Sequence, residues 1–100
     1  PIGAVRLTER HLGGDPPSAA QRAALTAAID AALAPLDLPR GVTLVASAGT
    51  ATTLAALDLG IPYDPERVHG HTLAPARLAA LTERLLAATV AERRAMVGMQ

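Results

Sequence analysis

The chain has 100 residues, half of them hydrophobic, and its nine basic residues balance its nine acidic ones. This length suffices for one small domain, and we predict that residues 1–100 form a single partial domain. A net charge of zero argues against a nucleic-acid binder, which needs a basic face, and nothing indicates a membrane-surface patch. Without cysteine, disulfides and thiolate metal sites are excluded. The absence of a signal-peptide pattern and of a long apolar run predicts a cytoplasmic protein.

The first half of the chain predicts a strand and then a helix. Residues 2–8 alternate loosely, with Val5 and Leu7 on one face, which is typical of a half-exposed strand. A Gly-Gly-Asp-Pro-Pro run then breaks the chain. Ser18, with Gln21 three residues later, forms a capping-box pattern that predicts a helix from about Ser18 to Ala34. The predicted buried stripe of this helix consists of Leu25, Ile29, Leu33 and Leu36.

The second half predicts a buried strand, a glycine turn and further helices. The strand covers Val42 to Ser47, and a short helix then ends at a left-handed Gly60. Residues 61–65 are predicted to form a loop, and residues 66–73 an extended segment. Pro75 suits the first position of the next helix. Thr89, followed three residues later by a glutamate, predicts a break and a second capping box. The buried stripe of this region consists of Leu78, Leu81, Leu85 and Ala88.

The junction between the predicted strand and the short helix is the main candidate site. There Ala48-Gly49-Thr50-Ala51-Thr52-Thr53 leads from an apolar segment into a helix. A glycine lets the backbone approach a ligand, and the free amides of a helix start stabilise an anion without a basic side chain. The candidate phosphate or nucleotide ligands are therefore Gly49, Thr50, Thr52 and Thr53. The alternative makes Thr50 an ordinary N-cap and Gly49 a turn residue, and the residues alone leave both open.

Other polar residues have simpler interpretations. His69 and His71 flank a glycine as a metal pair would, but they lack a third ligand, and the better interpretation is that they line a turn or contact another segment. The acidic residues Asp58, Asp64 and Glu66 suit surface or capping roles, and no catalytic carboxylate pair is predicted.

The first predicted strand ends in a charged cluster. Arg6, Glu9, Arg10 and His11 follow one another there, and such a group usually forms a solvated face. The alternative is the edge of an anion site.

Four segments of the sequence resemble the exopolyphosphatase and guanosine pentaphosphate phosphatase family. They span most of the chain in the order that the family has. The segments are Pro1–Glu9, Ala48–Ala56, Tyr63–His71 and Thr89–Arg94, the last leading to Val97-Gly98-Met99.

The resemblance implies an α/β fold, part of an actin-like (ribonuclease-H-like) lobe with an incomplete sheet. It implies release of terminal phosphate from polyphosphate, or of the 5′ phosphate from guanosine pentaphosphate, with magnesium and a water activated by a glutamate. It places Gly49 and Thr50 in a glycine turn facing a cleft between two lobes. The catalytic glutamate and two phosphate loops of the family have no counterpart here, so this second-lobe segment is expected to hydrolyse nothing alone.

The missing parts also predict partners. The chain would need the first lobe of the same polypeptide, and its strands would leave unpaired edges through which the chain could form a homodimer. Two alternatives are an ATP-binding lobe of an actin-like kinase and a non-catalytic binding or assembly module.

Overall fold

A computed structural model of the chain describes residues 3–37 and 39–99. Within these ranges the chain forms helices and no strand. The chain divides into two compact units, residues 1–43 and residues 44–100. No helix in the described ranges is long and apolar enough to cross a membrane. In chain order the helices are α1 (Ala4–His11), α2 (Ala19–Leu33), α3 (Ala48–Leu59), α4 (Pro65–Val68), α5 (Pro75–Ala87) and α6 (Val90–Arg94).

The predicted α/β fold class is therefore wrong for the described residues. Where the first strand was expected, Ala4 to His11 form α1, and position 2 lies outside the described residues. The alternation that predicted a strand covered only a few residues. The same segment is rich in alanine, arginine, leucine and glutamate, which have high helix propensity. Arg10 and His11 in the last turn add a favourable interaction with the helix dipole.

The second predicted strand, residues 42–47, is non-helical but pairs with no other segment of the described chain. It was expected to be buried, yet Leu44 is 81% and Val45 91% exposed. A strand becomes stable only beside a partner that takes up its backbone hydrogen bonds, and the described chain supplies none. The extended segment expected at 66–73 is also wrong in part. Residues 65–68 form α4 because Pro65 starts the helix and the Asp64 carboxylate accepts from the Glu66 amide.

The helix predicted after Ser18 is confirmed as α2, together with its capping box. Ser18 Oγ accepts from the Gln21 amide at 3.1 Å, and Gln21 Oε1 accepts from the Ser18 amide at 2.8 Å. The buried stripe is only partly confirmed. Leu25 and Ile29 are half-buried, whereas Leu33 is 42% and Leu36 57% exposed. Unit 1, in which α2 packs against α1, has no fully buried residue in the described ranges.

The described core lies in unit 2, where α3 packs against α4 and α5. Small side chains dominate it: Ala56 is 0%, Ala55 9% and Ala88 7% exposed. Such residues let helices approach closely. Close packing is needed here because the sequence has only one aromatic residue with which to fill space in a core. At the buried Gly98 the two backbone segments lie so close together that a side chain does not fit, since a Cβ added there would lie 2.9 Å from the Leu57 amide nitrogen.

Three helix ends in unit 2 lie where the sequence predicts them. Gly60 is left-handed (φ 70°, ψ 33°), and its amide donates to Leu57 while the next amide donates to Ala56, the two bonds of a Schellman motif. Pro75 begins α5 as expected. The Thr89 capping box is present at the start of α6. Its hydrogen bonds lower the pKa of Glu92 below the ordinary value.

Candidate functional site

The turn that begins α3 is the candidate phosphate-binding site. Ser47 occupies the N-cap position in an extended conformation, but its side chain makes no capping hydrogen bond. No acidic residue lies in the first turn of α3. The first-turn amides therefore have neither a side-chain acceptor nor a negative charge to neutralise their partial positive charge. An anion is the natural partner for such a helix start.

The backbone at this turn contains one strained residue, Ala48. Ala48 has φ 74°, a left-handed conformation that residues with a Cβ rarely adopt. A left-handed residue followed by right-handed ones turns successive amides toward one concave side, an arrangement that binds anions in other proteins. The strain at Ala48 is therefore located where the backbone would meet a ligand.

Helix α2 provides a contrast, because its start has a side-chain cap and that of α3 has none. In α2 the Ser18 hydroxyl and the Gln21 side chain satisfy the donors that are left open in α3. An anion that binds unpaired backbone amides would therefore bind at the start of α3 rather than at the start of α2. The alternative interpretation of Thr50 as an N-cap is wrong, because Ser47 holds that position and α3 begins at Ala48.

The structure places the predicted site residues on one helix turn, with different capacities for binding. A Cβ built on Gly49 meets no atom within 4 Å, so the space beside its backbone is open. Thr50 is exposed and Thr53 half-buried. The Thr52 hydroxyl already donates to the Gly49 carbonyl at 3.0 Å and to the Ala48 carbonyl at 3.3 Å. Thr52 therefore has no free hydroxyl proton for a phosphate, which leaves Gly49, Thr50 and Thr53 as the better-placed candidates.

A second polar cluster joins the elements behind the turn. Asp58, near the end of α3, lies with Oδ2 2.7 Å from His71 Nε2 and with Oδ1 2.7 Å from Arg77 Nε. The Asp58 side chain is 11% exposed and that of His71 19%, whereas Arg77 remains 60% exposed. The Arg77 guanidinium first, and His71 second, hold the pKa of Asp58 below its ordinary value of 3.8. This cluster fastens the start of α5 to α3.

The sequence missed this cluster because its members are 13 and 19 positions apart. No local pattern connects Asp58 to His71 or Arg77. The interpretation of His71 as a contact to another segment is confirmed by its bond to Asp58. His69 caps the end of α4 and is exposed. Asp64 has the capping role that the sequence suggested.

The described residues do not fit a magnesium ion. In residues 3–37 and 39–99 no three His, Cys, Asp or Glu side chains come together as a metal site. The α3 turn has threonine hydroxyls but no carboxylate in its first turn, whereas magnesium sites usually include one or two carboxylates. Magnesium thus stays a prediction from the sequence resemblance, and no chemical step at this turn depends on it.

Two curated relatives match the sequence over nearly its whole length. Both carry the name exopolyphosphatase 2 and come from Mycobacterium tuberculosis, strains CDC 1551 / Oshkosh and ATCC 25618 / H37Rv. Each is 36% identical over 103 residues, which cover 98% of the chain and 32% of the relative. The chain is therefore similar to one segment of these exopolyphosphatases. The family resemblance of its four segments is thereby confirmed, and the chain spans about a third of the length of these relatives.

The remaining comparisons add no structural relative. No family model matches the chain, and no solved structure matches it either. The actin-like fold that the resemblance implies thus has no support from a structural neighbour.

Proposed function

We propose that this chain contributes a phosphate-binding turn to an exopolyphosphatase, an enzyme that releases terminal phosphate from inorganic polyphosphate. The observation that carries the proposal is the uncapped start of α3, with its left-handed Ala48 and the open space beside Gly49. The name of the two relatives supports polyphosphate as the substrate. Guanosine pentaphosphate, the other substrate of the wider family, remains a finer prediction from the sequence.

The role of the turn in this proposal is to hold and orient a phosphate group. First-turn amides stabilise negative charge on phosphate oxygens, and in this proposal the Thr50 and Thr53 hydroxyls add hydrogen bonds to the same group. Fixed donors of this kind position a substrate without taking part in proton transfer. The groups that activate water and hold magnesium would come from the rest of the polypeptide, in particular its first lobe. We accordingly propose that the chain alone releases no phosphate, and a colorimetric phosphate assay with polyphosphate tests this directly.

Replacement of Gly49 tests the turn itself. Gly49 is not in the left-handed region and has open space around it, so Gly49→Ala adds a methyl group without strain. Alanine is also the better helix former, by about 1 kcal/mol, so the variant should be as stable as the wild type or more stable. If a phosphate sits on these amides, the methyl group lies in its way and weakens tripolyphosphate binding.

Gly13→Ala is a matched control, because its new Cβ would make only an ordinary contact, 3.5 Å from Gln21 Nε2. Calorimetric titration with tripolyphosphate should show weaker binding by Gly49→Ala and unchanged binding by Gly13→Ala. Equal affinity of all three proteins would contradict a phosphate site at α3.

A further inference from the structure

Helix α1 carries a cluster of charge that the proposed function does not use. Arg6, Glu9 and Arg10 line an open cavity of about 410 Å³. Pockets for small ligands span roughly 300–1,000 Å³, so this space is large enough for an inorganic or small organic ion. His11, the fourth member of the polar cluster that the sequence shows here, is not among the residues that line the cavity.

The two arginines form a like-charged pair, and with the Glu9 carboxylate beside them the cluster keeps a net charge of +1. Arg6 and Arg10 are four residues apart on one helix, so both lie on the same face, with Cβ atoms about 5–6 Å apart. Like charges at this spacing destabilise a helix. In the described part of the chain neither arginine makes an ion pair or side-chain hydrogen bond, and the carboxylate of Glu9 makes none either. A bound anion would relieve this repulsion.

We propose that Arg6 and Arg10 bind a condensed phosphate, in which two or more phosphate groups share bridging oxygens. Each guanidinium presents a planar fork of donors that matches the oxygens of one phosphate group. Two forks one helical turn apart therefore match two linked phosphate groups better than a single one. The choice of phosphate among oxyanions rests on the proposed function, whereas the position and charge of the site do not.

Glu9 gives the site a property that can be measured. Its carboxylate lines the same cavity as both guanidinium groups, so it repels an anion bound there. Loss of the Glu9 charge should therefore strengthen binding, whereas loss of the arginines should weaken it. A merely unstable α1 would not produce opposite effects from neighbouring residues.

The first experiment removes the arginines. Tripolyphosphate and inorganic phosphate are titrated calorimetrically into the full chain, the double variant Arg6→Ala/Arg10→Ala, and the control Arg40→Ala/Arg84→Ala. The control removes the same charge from exposed positions elsewhere. Tripolyphosphate should bind the first variant about fivefold more weakly, the scale of two exposed ion pairs, and inorganic phosphate should change less. Equal losses in both double variants would show a general charge effect and overturn the proposal.

The second experiment removes the carboxylate. Glu9→Gln should bind tripolyphosphate more tightly than the wild type, and Glu66→Gln, an exposed glutamate in α4 with the same change of charge, should not. Unchanged or weaker binding by Glu9→Gln would overturn the site. During the same titration, nuclear magnetic resonance should show shifts of the Arg6 and Arg10 Nε–H signals. Shifts confined to the amides of residues 48–51 would contradict this site alone, and shifts confined to the arginines would contradict only the α3 turn.

Discussion

The left-handed Ala48 predicts that a glycine in its place makes the protein more stable. A residue with a Cβ pays about 1–2 kcal/mol for this conformation, as Ala48 does at φ 74°. Glycine avoids that cost but loses about 0.5–1 kcal/mol more backbone entropy on folding. The difference predicts that Ala48→Gly raises the free energy of unfolding by up to about 1.5 kcal/mol.

The matched control is Ala79→Gly, at an exposed position inside α5. There glycine brings no relief and should cost about 1 kcal/mol. Urea unfolding followed by circular dichroism measures both variants against the wild type. If Ala48→Gly destabilises the chain as much as Ala79→Gly does, Ala48 is not held left-handed. The arrangement of amides on which the proposed site depends would then be wrong.

Three further predictions concern unit 2. Gly98→Ala should lower the free energy of unfolding by about 2–4 kcal/mol, because the strain of a positive φ (107°) adds to a clash of the new Cβ, 2.9 Å from the Leu57 nitrogen. Gly60→Ala, which has open space around it, should lower it by about 1 kcal/mol. Urea unfolding measures both values. Asp58→Asn should make stability fall less steeply below pH 3.8. The folded state lowers the pKa of Asp58, so the ionised carboxylate stabilises the fold above pH 3.8, and this stabilisation is lost as the pH decreases through the folded-state pKa. An unchanged pH profile of stability would contradict this. Thr89→Ala should cost about 1 kcal/mol through the lost cap, and no change in the melting temperature would refute it.

Local signals predicted α2, α3, α5 and α6 and several of their ends, but not α1 or α4. The capping boxes at Ser18 and Thr89, the left-handed Gly60 and the first-position Pro75 each depend on a few neighbouring residues, so the sequence reveals them directly. The same reasoning predicted the helix that ends at Gly60, but it placed the turn at Gly49, whereas α3 already begins at Ala48.

Features that depend on distant partners were not predictable in the same way. A strand at 42–47 requires another segment to pair with, and its apolar residues alone could not show that the described chain lacks one. The loose alternation around Val5 was too short to outweigh the helix propensity of its neighbours. The Asp58 cluster depends on how α3 and α5 pack, which no short motif records.

Several predictions from the sequence are not tested by the structure: a homodimer, a cytoplasmic location, an ATP-binding kinase lobe and a non-catalytic assembly module. The strand edges through which the homodimer was expected to form are absent from the described residues, which contain no strand. Sedimentation of the chain over a range of concentrations would test the homodimer.

The central claim is that the first-turn amides of α3 bind a phosphate group. Amide hydrogen exchange of the chain with and without tripolyphosphate tests it most directly, and the capped start of α2 serves as an internal reference. We predict slower exchange for the amides of residues 48–51 and unchanged exchange for Gln21. Unchanged exchange at residues 48–51 with saturating tripolyphosphate, or equal slowing at Gln21, would contradict the proposed function.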